Sequence, residues 1–146
     1  MEEHAESAAR EAWRCLAELW FNAENQDRFH RACEAADLSP PQLKALLWLQ
    51  PGTTPAMGEL AESLRCDASW VTGIVDGLEQ RGYAERQVLP SDRRVKVVAI
   101  TELGEKAQDR ALARLHEPPA ALDVLNDDEQ RTLAALLRKV CQASGD

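Results

Sequence analysis

The stretch "GELAESLRCDASWVTGIVDGLEQRGY", residues 58–83, constrains the fold more than any other part of the chain. Two amphipathic segments flank a spacer of only Arg65, Cys66 and Asp67, which leaves room for nothing but a tight turn. Asp67 is suited to cap the second segment, where Val71, Ile74, Val75 and Leu78 recur at helical spacing. Gly82 follows the basic Arg81, the place where a helix stops. "AERQVL" and "VKVVAIT" come next, alternating and β-branched, joined by the turn residues "PSDR". Two helices on a short turn followed by a hairpin read as a winged helix-turn-helix.

The flanks are helical. Residues 6–36 hold no Gly or Pro and read as one long helix, with Trp13, Leu16 and Trp20 beside Ala12, Cys15 and Leu19 on a wide apolar face. Such a helix exceeds what a small core needs, so part of it is expected to meet another subunit. In "LSPPQLKALLWLQPG", Ser39 caps, Pro40 takes the first helical position and Gln42 completes a capping box. Thr54 and Pro55 are set to open the next helix, with Met57 as the alternative start. Thr101 caps a helix to about Glu117, Pro118 and Pro119 break the chain, and Asn126 with Glu129 starts a final amphipathic helix. The predicted fold is mainly α with a small β-hairpin wing. Residues 1–36 and 118–146 are the expected dimerisation helices, and 37–117 the winged head with its connecting helix.

Composition excludes several function classes. At 45% hydrophobic and 29% charged, the 146 residues describe a globular domain. No apolar run approaches the roughly 18 residues that span a membrane, and the acidic N-terminus lacks a signal-peptide pattern, so a cytoplasmic protein is expected. Cys15, Cys33, Cys66 and Cys141 have no metal-knuckle spacing. His4, His30 and His116 are scattered, and there is no phosphate loop or nucleophile elbow. No enzyme, metal or cofactor is therefore expected. The net charge is −8, yet residues 86–96 hold Arg86, Arg93, Arg94 and Lys96 against Asp92 alone, a local +3. An acidic chain can still make a focused nucleic-acid contact, because screening limits distant charges to about 8–10 Å.

Four motifs together resemble the MarR family of bacterial transcription regulators. These are "GELAESLRCDASWVTGIVDGLEQRGYAER", "SDRRVKVVAIT", "TELGEKA" and "LSPPQLKALLWL", within about residues 35–115. The resemblance implies a homodimer with interlocked terminal helices and two winged heads on a pseudo-palindromic double-stranded operator. It makes the fourth helix the reading helix, presenting Ser69, Trp70, Thr72 and Gly73. Trp70 has an alternative place in the core, against the preceding helix. The family often carries basic residues near positions 73 and 77, where this chain has glycines. Arg94 aligns with the wing arginine that enters the minor groove, Arg93 and Lys96 would neutralise phosphates, and Asp92 would support the wing.

The resemblance also implies a repressor released by a small-molecule effector bound between the dimerisation helices and the head. Trp13, Trp20, Phe29, His30 and Trp48, with Phe21, are candidates for lining that pocket; the alternative reading makes the aromatics core residues. Cys15 matches in placement the reactive cysteine of the family's peroxide sensors, but the supporting tyrosines are absent, and a structural thiol is the competing reading. A winged-helix interaction module with little DNA affinity is the alternative from another class.

Overall fold

The computed structural model describes residues 7–143. The expected helix start at residue 6, and His4, lie outside the described residues. The chain divides into two units, Met1–His116 and Glu117–Asp146.

The first unit contains α1 (Ala8–Trp20), α2 (Ala23–Ala36), α3 (Pro40–Trp48), α4 (Met57–Leu64), α5 (Ala68–Gln80), β1 (Ala84–Leu89), β2 (Asp92–Ile100) and α6 (Glu102–Leu115). The single helix expected over 6–36 is thus two helices. Asn22 is the cause: its backbone is extended, and Oδ1 accepts the Asn25 N–H at 2.8 Å. Asn25 Nδ2 donates back to the Trp20 carbonyl at 2.8 Å. A short amide side chain competes with the helix for backbone groups, so no Gly or Pro is needed for a break. Beyond that break α2 buries Ala32, Cys33 and Ala36 in the head's own core.

Ser39 donates its N–H to Gln42 Oε1 at 3.1 Å, as the capping-box reading requires. Helix α4 starts at Met57 rather than at Thr54 and Pro55, because the preceding residues join the wing. The Pro55 carbonyl accepts the Val98 N–H at 2.9 Å, and Ala56 bridges to Val97. Arg65 closes α4 in the left-handed region at φ 52°, and Gly82 ends the next helix at φ 71°. Helix α6 stops at Leu115, short of Glu117, with His116 as its cap.

Leu43 and Leu46 of α3, Leu49, Leu60 of α4, Val71, Val75 and Leu78 of α5, and Val98 of β2 are fully buried together. Each contributes about 1.5–3 kcal/mol of burial. Helix α6 is stitched to this core by polar bonds. Gln108 Nε2 donates to the carbonyls of Leu46 and Leu49 at 2.8 and 2.9 Å, and Arg110 Nε donates to that of Ala35 at 3.0 Å.

The second unit holds a 3₁₀ turn (Ala120–Val124) and α7 (Asp127–Ala143). Asn126 Oδ1 accepts from Asp128 and Glu129 N–H at 3.0 and 3.1 Å, and its own N–H donates to Glu129 Oε2 at 2.9 Å. Neither α1 nor α7 buries a single residue; Trp13, Trp20, Leu136 and Val140 all stand largely in solvent.

Candidate nucleic-acid interface

Helix α5 begins on Asp67, whose Oδ1 accepts the Trp70 N–H at 2.8 Å and the Ser69 hydroxyl at 2.7 Å. These two donors hold the Asp67 carboxyl below the usual aspartate range. Val71, Ile74, Val75 and Leu78 turn inward, while Ser69, Trp70, Thr72 and Gly73 are exposed on the other side. The indole of Trp70 does not enter the core: the residue is 59% exposed, at the edge of a hollow of about 210 Å³ lined by Pro41, Lys44, Leu64, Cys66 and Ile74.

The two glycines of α5 have different causes. Gly77 is buried, and a Cβ there would lie 2.0 Å from Gln42 Nε2, so the capping side chain of α3 occupies its space. Position 77 is therefore a packing position, turned to α3 and away from solvent. Gly73 has nothing within 4 Å of where its Cβ would be. No contact within the chain requires a glycine there.

The wing turn is shorter than "PSDR". Strand β2 already starts at Asp92, which leaves Pro90 and Ser91 to turn the chain. The register then slips: Val88 pairs with Lys96, but Leu89 pairs with Asp92. Arg93, Arg94 and Val95 consequently face no residue of β1 and are pushed out as a bulge. Asp92 Oδ1 accepts the Arg94 N–H at 3.0 Å, so its observed bond holds the backbone of the bulge. Arg93, Arg94 and Lys96 are exposed, and none of them pairs with a carboxylate among the described residues.

Arg86 belongs to the same basic stretch in sequence but not in space. Its Nη1 contacts Asp76 Oδ1 at 2.7 Å and also Glu79 Oε2, while Nη2 donates to the Thr72 carbonyl at 3.1 Å. Its N–H donates to Glu79 Oε1 at 2.8 Å. Burial works against this guanidinium's charge, but the hydrogen bonds to Asp76 and Glu79 outweigh it and raise the pKa. Arg86 therefore clamps β1 to α5 and neutralises the acids of α5. The clue was present in the spacing, since Asp76 and Glu79 share one side of a helix that leads directly into the strand of Arg86. Between clamp and wing lies a cleft of about 630 Å³, lined among others by Gly58, Thr72, Asp76, Arg86, Arg94 and Lys96.

A second, more apolar cavity of about 570 Å³ is lined by Trp20, Phe21, Asn25, Gln26, Phe29, Lys44, Leu115 and His116. Of the aromatic candidates it gathers Trp20, Phe21 and Phe29. Trp13 is 72% exposed on α1, His30 Nε2 lies 3.4 Å from Glu34 Oε1, and Trp48 edges a separate hollow with Thr53, Pro55 and Glu59. Lys44, Leu115 and His116 escaped the sequence reading because only the tertiary fold brings α3 and the end of α6 to α1 and α2. Cys15 is exposed, and neighbouring Arg14 bonds Glu18 at 2.9 Å, which engages the cation that would support a thiolate. Cys33 is buried, and burial pushes its thiol pKa up.

Residues 38–96 match the model of the MarR family. An uncharacterized HTH-type transcriptional regulator of Bacillus cereus is 32% identical over 122 residues, 82% of this chain and 81% of that protein. A shorter match to the Bacillus subtilis regulator YfiV, 31% identical over 98 residues, spans 66% of this chain and 61% of that relative. Among solved structures, the YusO protein of B. subtilis superposes with a TM-score of 0.70 at 26% identity, over 94% of this chain and 99% of that one. MepR of S. aureus, solved as a DNA complex, shares the fold at a TM-score of 0.60 and 18% identity, over 91% and 98% of the two chains. Among the described residues no helix is long and apolar enough to cross a membrane. The chain belongs to the MarR family of winged helix-turn-helix transcriptional regulators.

Proposed function

We propose that this regulator is a cytoplasmic repressor that binds a pseudo-palindromic double-stranded operator as a homodimer and is released by a small molecule. The observation that carries the DNA-binding reading is the bulged wing tip. It exposes Arg93, Arg94 and Lys96, free of protein carboxylates among the described residues, beside a reading helix whose own acids are clamped by Arg86. Exposed cations supply the sequence-independent part of DNA affinity, and an arginine gains most in a narrow minor groove. Repression follows the habit of the family.

The dimer reading is supported by α1 and α7, which keep Trp13, Leu19, Leu136 and Val140 in water; a lone soluble chain rarely does this with whole helix faces. The effector reading is supported by the 570 Å³ cavity, whose apolar walls of Trp20, Phe29 and Leu115 are flanked by Lys44 and His116.

The test is fluorescence anisotropy with DNA from the protein's own upstream region. Tight binding, competed only by unlabelled cognate DNA, is the expected result. Weak binding that is equal for all sequences would overturn it and favour the interaction-module reading. Sedimentation of a Leu136→Glu, Val140→Glu variant checks the dimer: monomers are expected, and an unchanged dimer removes α7 from the interface.

A further inference from the structure

Resting on the DNA-binding reading, we infer that α5 selects A·T base pairs through thymine methyl groups packed against Trp70, and does not read guanine through a charged side chain. The commonest specific contact in the major groove is a bidentate arginine or lysine on guanine O6 and N7. Ala68–Gln80 contains neither residue type. Of the basic residues next to the helix, Arg86 is held by Asp76, Glu79 and the Thr72 carbonyl, and the C-cap Arg81 by the carbonyls of Asp37 and Gly77.

The hydroxyls narrow the choice further. Ser69 Oγ donates its proton to Asp67 at 2.7 Å, and Thr72 Oγ1 donates to the Ala68 carbonyl at 2.9 Å. Each keeps only lone pairs for a ligand. Acceptors suit the adenine N6 or cytosine N4 amino group; guanine's major-groove edge offers acceptors alone.

The remaining feature is apolar. Trp70 exposes 59% of its surface on the reading face, and Gly73 follows it at i+3 on the same side. Gly73 has open space where a Cβ would stand, so its small size leaves the helix surface low beside the indole. That step has room for a base edge bearing a methyl group. In the major groove only the A·T pair presents both an amino donor and a methyl. The two acceptor hydroxyls and the indole are complementary to that combination. The wing fits the same preference, since narrow A·T-rich minor grooves attract inserted arginines.

The experiment selects tight-binding duplexes from a random pool with the full-length protein, then replaces single thymines by uracil, which removes only the C5 methyl. At one or two thymines per half-site, affinity is expected to fall by about fivefold to a hundredfold. The same replacements leave the binding of Trp70→Ala unchanged, because the methyl has lost its partner; circular dichroism checks that this surface variant is folded. Selected sites that centre on guanine, or uracil duplexes that bind the unaltered protein as tightly as thymine duplexes, overturn the inference while leaving DNA binding intact. A pool from which no sequence emerges overturns the DNA-binding reading beneath it.

Discussion

Helix α5 runs from Ala68 to Gln80 without a lysine or arginine, whereas the wing tip sets Arg93, Arg94 and Lys96 within four residues. The helix is held rigidly. Asp67 caps it, four apolar side chains anchor it in the core and Arg86 ties it to β1. The tip is held by little more than the Arg94 N–H donating to the Asp92 carboxylate and a slipped register. The difference separates two tasks that many DNA-binding helices combine. Charge, which gives affinity without reading base edges, sits on the wing; shape and apolar surface, which can discriminate base pairs by their edges, sit on the helix.

The strongest way to break this contrast is Arg94→Ala. Affinity is expected to fall on the order of 100-fold, on every sequence and most where the minor groove beneath the wing is narrow and A·T-rich. Sedimentation should show the proposed dimer unaffected. A loss confined to one operator would mean that the wing reads bases. Next is Arg86→Met, which leaves Asp76 and Glu79 uncompensated on α5. Stability measured by urea unfolding should drop by about 1.5–2 kcal/mol, the lower part of the range for charged hydrogen bonds because Asp76 is half-exposed. DNA affinity should fall about tenfold, since two freed acids then face phosphates.

The glycines sharpen the comparison inside α5. Gly73→Ala should stabilise the fold by up to about 1 kcal/mol, because its methyl enters open space on a helix. The same change is expected to weaken DNA binding severalfold. Gly77→Ala forfeits the gain, since the new methyl displaces Gln42 from its cap on Ser39. Its stability should lie at or below that of the unaltered protein in the same urea titration. The smallest effect concerns Asp67. Its folded pKa is below the unfolded value of about 3.9, so its stabilisation is present above that pH and is lost as pH falls through the folded pKa. Asp67→Asn keeps a capping acceptor and should lose less melting temperature between pH 7 and pH 3 than the unaltered chain.

Much of the head, and the start of α7, could be read directly from the chain. The caps at Ser39, Asp67, Thr101 and Asn126, the three-residue turn, the inward stripe of α5 and the hairpin all follow from local rules, and all are present. What escaped depends on choices that several sequences satisfy equally. The break at Asn22 is one side chain winning over a continuous helix. The choice between Thr54–Pro55 and Met57 as the start of α4, left open by the sequence, falls to Met57 because Pro55 and Ala56 join a strand some forty residues away. The bulge that extrudes Arg94 is a register choice, and the role of Arg86 appears only once β1 lies against α5. The cavity wall from Lys44, Leu115 and His116 is tertiary in the same sense. Of the region expected to carry assembly, α2 buries Ala32, Cys33 and Ala36 in the head's core, and α1 keeps its apolar face in water.

The most direct measurement of the central claim is operator affinity titrated against salt for the unaltered protein and for Arg94→Ala. The account predicts a slope of several units in log affinity against log salt for the unaltered protein, with each neutralised phosphate contributing about −0.9. It predicts a slope smaller by about one unit per removed contact in the variant. A slope near zero, or one that Arg94→Ala leaves unchanged, would contradict the assignment of the wing tip as the charged anchor on DNA.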